Sequence, residues 1–178
     1  MYLSLDKSIN VKRPVIGISA RDSHFVVTYD FPGRVGTITV DGRVIDEMDN
    51  KKAGKQVFKC PYYIATTSSG DIFVSDCGTR TVIQMDRILR ITRTFSSRML
   101  KQPHGIVSVG TDQLLVANQE GNSIVDLNPT SGTVTPLLGR ADGIQPEAVA
   151  WCPASKKLYV TRAEYHWTLS VFQVRNEH

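Results

Sequence analysis

Short apolar runs separated by turn residues dominate the chain. The runs at 72–75, 114–117 and 158–161 each consist of consecutive β-type residues, with the length of a buried strand. A turn precedes each run, and a second apolar run follows it after Gly, Asn or other turn-forming residues. No segment sustains a helical period. The pattern therefore predicts an all-β chain built from many short strands.

Prolines mark a repeat in this pattern. Pro61, Pro103 and Pro146 precede equivalent apolar runs at intervals of 42 and 43 residues, and Pro14 provides a matching position further upstream. Each copy offers four short strands, except that the last copy ends after its third. Four strands in a repeat of about 40–45 residues are typical of a propeller blade. We therefore predict a β-propeller with four four-stranded blades.

The spacing also predicts where each blade begins and ends. The segment before the first full blade provides one strand, Tyr2–Leu5, while the fourth copy stops at Val174 without an outer strand. This strand either closes a four-bladed ring by completing the last blade or belongs to an upstream blade. The predicted units are an outer strand of a preceding or closing blade in 1–12 and blades in 13–56, 57–99, 100–142 and 143–178.

The second and third copies resemble a known family. Pro61 and Ile64 are followed by the run Gly-Asp-Ile-Phe-Val-Ser-Asp at 70–76 and by Gly-Thr-Arg-Thr-Val at 78–82, and residues 103–124 repeat the arrangement. The pattern resembles NHL repeats, especially those at the C-terminus of tripartite-motif (TRIM) proteins. Such propellers usually have six blades, so the resemblance implies an incomplete six-bladed ring. It also implies a recognition surface, with any ubiquitin-ligase activity in a RING domain outside this chain.

Loops between second and third strands converge with the segments leading into the blades on one face of a propeller. We name this the loop face. Its mixture of aromatic, Arg, His and Asn side chains is typical of protein hot spots. It also suits single-stranded RNA, whose bases stack on aromatic rings. The predicted contact residues are Tyr29, Phe31, Arg34, Tyr62, Tyr63, Arg80, His104, Asn118, Arg162, Tyr165, His166 and Trp167.

Charge adds a second candidate surface. The net charge of the chain is +4, and six cations with one anion lie between Arg80 and Lys101. Several of these cations fall on a predicted outer strand, where charge protects against edge pairing. They are also a possible basic side patch for an acidic partner or nucleic acid. The patch would consist of Arg87, Arg90, Arg93 and Arg98.

The cysteines and the hydropathy of the chain indicate the cellular compartment in which we expect the protein. Cys60, Cys77 and Cys152 occur singly, without the spacing of a zinc site or a disulfide framework. We therefore expect reduced thiols in a cytoplasmic protein. No apolar run approaches the roughly 18 residues of a membrane span, and no secretory signal is recognisable, so we predict no membrane partner.

An enzyme is the remaining alternative. Asp76, Asn118 and Glu147 bear oxygen ligands and are predicted on channel-facing loops of adjacent blades, which would suit a calcium-dependent, lactonase-like hydrolase. However, Asp after a strand is also a common turn residue, and Arg162 occupies the equivalent position in the fourth copy. We therefore predict a non-catalytic module without metal or cofactor that binds a protein partner, with single-stranded RNA as the alternative ligand.

Overall fold

The computed structural model describes residues 8, 11, 13–29, 31–48, 51–52, 55–142, 144–162 and 169–173. Blade 1 contains β1 (Val15–Arg21), β2 (His24–Tyr29), β3 (Arg34–Thr39) and β4 (Val44–Glu47), and a small hairpin of β5 (Lys51–Lys52) and β6 (Lys55–Gln56) follows. Blade 2 contains β7 (Pro61–Thr66), β8 (Ile72–Asp76), β9 (Thr81–Met85) and β10 (Ile91–Ser96).

The second half of the chain continues the pattern. Blade 3 contains β11 (Pro103–Ser108), β12 (Leu114–Asn118), β13 (Ser123–Leu127) and β14 (Val134–Leu138). A 3-10 turn, Arg140–Asp142, leads to blade 4, whose described strands are β15 (Pro146–Cys152), β16 (Lys157–Arg162) and β17 (Leu169–Gln173). Within the described residues, no helix has the length and apolar character to cross a membrane.

Each blade is an antiparallel meander in chain order, and the inner strands β1, β7, β11 and β15 pack side by side. This arrangement confirms the prediction of a four-bladed, all-β propeller. Three blades have four strands, and three strands of the last blade are described. The residues Tyr2–Leu5 and Val174, on which ring closure depends, lie outside the described part of the chain, as do Tyr165, His166 and Trp167.

The hydrophobic core lies between neighbouring blades. Every residue of β8 is buried, and alternate side chains point to opposite faces of a strand. Ile72 and Val74 consequently pack against Val26 of blade 1, whereas Phe73 packs with Leu114 of blade 3. A strand covered on both faces must be apolar on both, which explains why the second strand of each central blade appears in the sequence as an unbroken apolar run.

Strand pairing corrects the alignment of the first copy. Val15 pairs with Tyr29 in blade 1, as Pro61 pairs with Asp76 in blade 2. Val15, and not Pro14, is therefore the equivalent of the later prolines. The alignment of Pro14 with the later prolines is therefore shifted by one residue. Equivalent positions in two blades are those that pair with the same position of the second strand.

A β-bulge determines the orientation of Arg93 within β10. Pairing between β9 and β10 passes from Ile91–Met85 to Arg93–Gln84, so Thr92 is an extra residue. The bulge reverses the alternation of the strand, so Arg93 lies on the same face as Phe95, towards blade 3. The Arg93 side chain is nevertheless exposed.

Candidate functional site

Each inner strand carries a β-bulge near its start. The four bulges are equivalent, because in every case two residues of the inner strand lie opposite one residue of the second strand. Bulges redirect side chains and are common beside functional sites. The first residues of the four bulges are Ile16, Tyr62, His104 and Glu147.

Hydroxyl groups support the bulges in three of the blades. In each, the second bulge residue donates its backbone N–H to a Ser or Thr of the second strand. The donor and acceptor pairs are Gly17 N to Thr28 Oγ1 (2.9 Å), Tyr63 N to Ser75 Oγ (3.2 Å) and Ala148 N to Thr161 Oγ1 (3.0 Å). The Thr28 hydroxyl also donates to the Tyr62 carbonyl oxygen at 3.0 Å, which joins blades 1 and 2.

Five polar and aromatic residues from the inner strands and one loop meet across blades 2, 3 and 4. The Tyr62 and His104 rings stack with their centroids 4.9 Å apart and their planes 16° apart. His104 Nδ1 lies 2.9 Å from Glu147 Oε1, and Gln119 Nε2 donates to Glu147 Oε2 at 2.6 Å. Tyr63 lies beside both rings, with its centroid 6.5 Å from that of His104. We name Tyr62, Tyr63, His104, Gln119 and Glu147 the mouth cluster.

The mouth cluster is electrostatically coupled. Burial raises the pKa of Tyr63, and the negative charge of Glu147 raises it further. Because a carboxylate faces His104 Nδ1, that nitrogen donates and carries a proton. The His104 side chain is buried, and its Nε2 has no hydrogen-bond partner among the described residues. An imidazole oriented by a carboxylate is the arrangement that general acid–base chemistry uses.

Asp76 has a structural role. It is fully buried, and its carboxylate accepts three backbone N–H groups, from Lys59 at 2.8 Å, Cys60 at 3.1 Å and Thr79 at 2.9 Å. These bonds hold the segment leading into blade 2 against the loop that follows β8. The Asp76 carboxylate is therefore already engaged in hydrogen bonds and is not free to bind a metal ion.

Asn118 does the same in blade 3. Its Oδ1 accepts from the backbone N–H groups of Lys101 and Gln102, and its Nδ2 donates to the Met99 carbonyl oxygen and the Ser123 hydroxyl. The ring of calcium ligands considered as an alternative is thus not assembled from Asp76 and Asn118. Among the described residues, no three His, Cys, Asp or Glu side chains are grouped as a metal site.

Tyr29 and Arg34 also point inward. Tyr29 is buried, and Arg34 donates to Glu47 at 2.5 Å. Arg13 donates to the same carboxylate oxygen at 2.7 Å and lies over the Tyr29 ring. These residues join the start of blade 1 to β4. Arg162, at the equivalent position of blade 4, is half-buried and donates to the Ser170 hydroxyl at 3.3 Å.

The exposed part of the loop face begins at Phe31, whose exposed fraction is 93%. Its loop rests on the start of β7, because a Cβ atom on Gly33 would lie 2.6 Å from Pro61 Cδ. On the next loops along the chain, Arg80 Nη2 lies 3.6 Å from Glu120 Oε2, and both side chains are exposed. Phe31, Arg80 and the half-buried Tyr62 and Tyr63 are thus predicted contact residues that a partner can reach.

Two members of the predicted basic side patch are held by backbone carbonyls. The Arg93 guanidinium donates to the carbonyl oxygens of Pro129, Thr130 and Ser131 in blade 3 and lies 4.8 Å from the Phe95 ring centroid. Arg87 donates to the Ser69 carbonyl oxygen. Arg90 and Arg98 are exposed.

Two cysteines that are distant in the sequence lie side by side. The Cys77 N–H donates to the Cys60 carbonyl oxygen at 3.2 Å. Burial and a hydrogen bond with the Cys60 thiol raise the pKa of Cys77 to about 12. All three cysteines are free thiols. Sequence spacing offered no sign of this contact, which follows from the way Asp76 fastens the two segments together.

The comparisons with known proteins establish the fold. No family model and no curated protein matches the chain. Virginiamycin B lyase from Staphylococcus aureus is similar in structure, with a TM-score of 0.69 and 20% identity over 96% of this chain and 60% of the lyase. The WD40 repeats of RRP9 match with a TM-score of 0.66 and 13% identity, over 92% of this chain and 52% of that one.

Coverage differs among the similar structures. This chain spans about 60% of the length of the lyase. The computationally designed Ika4 protein, by contrast, matches with a TM-score of 0.65 and 8% identity over 97% of this chain and 96% of its own. All three matches are at identities that support the fold alone.

These comparisons correct the prediction that the chain is not an enzyme. Similar solved structures include virginiamycin B lyase and a streptogramin B lyase, so this fold does carry catalysts. The prediction was wrong because it took the absence of familiar sequence motifs as evidence against catalysis. In a propeller, polar side chains from separate blades meet only in three dimensions, as His104 and Glu147 do here.

Proposed function

We propose that this propeller binds a protein partner through its loop face. The observation that carries the proposal is Phe31, a large aromatic side chain that is almost fully exposed on that face. Buried aromatic anchors dominate the energetics of protein interfaces, and an exposed ring of this kind loses water-accessible apolar area when a partner covers it.

The mouth cluster supplies the second part of the surface. Tyr62 and Tyr63 are half-buried, and the stacking of Tyr62 against both Tyr63 and His104 limits their rotation. Side chains already held in place lose little conformational entropy on binding, which favours affinity. The bulge in β7 therefore supports two ordered aromatic contacts close to the loop that bears Phe31.

The resemblance to NHL repeats supports a more specific form of the proposal. On that basis the chain would be the substrate-recognition end of a larger, TRIM-type cytoplasmic protein. Free cysteines agree with a reducing compartment. Single-stranded RNA is less well supported as the ligand, because Arg87 and Arg93 already donate to backbone carbonyls.

Affinity capture with matched variants tests the proposal. Phe31→Ala removes the exposed ring, and Ile88→Ala is its control, because Ile88 is 56% exposed in the turn between β9 and β10 on the opposite face. We expect at least one protein whose recovery, measured by quantitative mass spectrometry, falls about tenfold or more with Phe31→Ala, a loss of the size expected at a hot spot. The same protein should be recovered undiminished with Ile88→Ala.

Tyr63→Ala and Arg80→Ala extend the test to the rest of the face. Both should weaken capture of the same protein, with unchanged thermal unfolding confirming that the fold is intact. Equal recovery with all three loop-face variants, or equal loss with Ile88→Ala, would show that the partner binds elsewhere.

A further inference from the structure

A shallow, open groove of about 490 Å³ runs between blades 2 and 3 on the loop face. One wall is the loop between β8 and β9, and the other is the connection from β10 to β11. Cations and hydroxyl groups provide most of its lining: Thr79, Arg80, Ser96, Ser97, Arg98 and Lys101. We name it the basic groove.

The charge of the basic groove is largely uncompensated. Within the described residues, neither Arg98 nor Lys101 has a carboxylate oxygen within 4.0 Å, and both are exposed. Arg80 has only the exposed contact with Glu120 at 3.6 Å, and ion pairs of that kind contribute little in water. Three cations therefore converge on one concave surface with a single weakly held anion at its edge.

Buried side chains fix both walls of the groove. Asp76 accepts from the Thr79 N–H at 2.9 Å, and Arg80 follows with a φ of 60°. On the other wall, Asn118 accepts from the Lys101 N–H at 2.8 Å. The backbone positions of Arg80 and Lys101 are thus set before any ligand arrives, which reduces the entropic cost of binding.

We infer that the basic groove binds the phosphate monoester of a phosphoserine or phosphothreonine in a peptide segment of the partner. The inference rests on the proposed function, because it assigns that partner a chemical class. A phosphate monoester carries close to two negative charges and three acceptor oxygens. Arg pairs with it through a two-pronged fork, Lys adds a point charge, and hydroxyl groups can donate to the remaining oxygens.

The lining argues for a phosphopeptide over RNA. Sites for single-stranded nucleic acid combine cations with aromatic rings on which bases stack. The groove is lined by Arg, Lys, Ser, Thr and one Leu, without a ring among its described lining residues. It can therefore hold a phosphate group but offers no platform for a base.

Titration with a short phosphoserine peptide tests the inference. The probes are a labelled Gly-rich pentapeptide with a central phosphoserine, its unphosphorylated form, inorganic phosphate and oligouridine, measured by fluorescence anisotropy and competition at two salt concentrations. We expect the phosphopeptide to bind, the unphosphorylated peptide not to bind, and inorganic phosphate to compete weakly. Arg98→Ala removes a charge-assisted bidentate contact and Lys101→Ala removes a point charge, and either should weaken binding about tenfold or more.

Arg90→Ala is the matched control, because Arg90 is exposed in the same basic segment but does not line the groove. It should change the affinity less than about twofold through the long-range field alone. Arg98→Lys should bind with intermediate affinity, because it keeps the charge but loses the fork. Thermal melting followed by circular dichroism identifies any variant that fails to fold. If Arg98→Ala fails to fold, Arg98→Gln replaces it.

Four outcomes would overturn the inference: equal weakening by Arg90→Ala, equal binding of the unphosphorylated peptide, inorganic phosphate binding as tightly as the phosphopeptide, or oligouridine binding more tightly. The peptide measurement needs no natural partner. Its failure therefore leaves the capture experiment with Phe31→Ala untouched, and a failed capture leaves the phosphate site standing.

Discussion

The central and terminal blades use one structural position in different ways. The last residue of the second strand, paired with the start of the inner strand, is Asp76 in blade 2 and Asn118 in blade 3. In blades 1 and 4 it is Tyr29 and Arg162. The central blades place a short polar side chain there, which binds the backbone of the leading segment. The terminal blades place a large side chain there, which contacts other side chains.

This difference shows how a repeat can keep its register while its chemistry changes. Asp76 and Asn118 act on backbone groups, which every sequence possesses. Tyr29 instead depends on a network with Arg13, Arg34 and Glu47. The central blades therefore present preorganised leading segments. The basic groove is built on them, and four of the five residues of the mouth cluster belong to these two blades, with Glu147 added by blade 4.

Removal of the Asp76 carboxylate should have the largest effect. Asp76→Ala leaves three backbone N–H groups without their acceptor, and hydrogen bonds to a charged group are among the strongest. We expect a loss of about 3 kcal/mol or more in the free energy of unfolding, measured by urea denaturation. Asp46→Ala, at an exposed position on β4, should cost less than about 0.5 kcal/mol. Similar losses for the two variants would show that the hydrogen bonds of Asp76 add no more to the free energy of unfolding than an exposed side chain does.

Asn118→Asp tests the hydrogen bonds that the Asn118 side chain donates separately from those that it accepts. The new carboxylate could still accept from Lys101 and Gln102, but it would face the Met99 carbonyl oxygen that Nδ2 now binds. We expect a loss of about 2 kcal/mol at pH 7, because a buried charge opposes a buried acceptor. The loss should shrink at pH 4, where a protonated carboxyl can donate. A loss independent of pH would indicate that the charge of the carboxylate is not its cause.

Cysteine reactivity should differ between blades 2 and 4. Thiolates are the reactive species, and the pKa of Cys77 is raised to about 12 by burial and by the Cys60 thiol. A hydrogen bond from Ser155 lowers the pKa of Cys152. At pH 8, iodoacetamide should therefore modify Cys152 more than about tenfold faster than Cys77, as measured by mass spectrometry of peptides. Ser155→Ala should slow Cys152 alone, and equal rates at the two sites would contradict the assignment.

The Glu47 network should produce the smallest effect, confined to acid pH. Burial acts to raise the pKa of Glu47, but hydrogen bonds from Arg34 and Arg13 outweigh it and hold the pKa below its usual value of 4.5. The stabilisation is therefore present above pH 4.5 and is lost as the pH falls through the lowered pKa. Because Arg13 is partly exposed, we expect less than about 1 kcal/mol.

Glu47→Gln provides the control for that pH dependence. The variant should show a flatter decline of the urea midpoint between pH 6 and pH 3 than the original protein, because residue 47 no longer titrates. An identical decline in both proteins would assign the acid sensitivity to other carboxyl groups.

The sequence by itself determined the strands and the repeat. Runs such as 72–75 and 114–117 are recognisable because a strand buried on both faces is mostly apolar on both. Their regular spacing then predicts blades, since each blade has to be covered by its neighbour. The same reasoning predicted that Phe31 and Arg80 lie on the loop face. In an antiparallel meander, the strand order determines at which end of the blade each loop lies.

Tertiary structure alone decided which polar residues face a partner. Asp76, Asn118 and Tyr29 occupy predicted loop positions but are turned inward, because buried backbone N–H groups and carboxylates nearby need partners. His104 meets Glu147 across 43 residues of chain, and Cys60 meets Cys77 across the hairpin of β7 and β8. A local pattern reports the period of a strand and the burial of its faces. It does not report which side chains from separate blades come within hydrogen-bonding distance, because only packing of the blades brings them together.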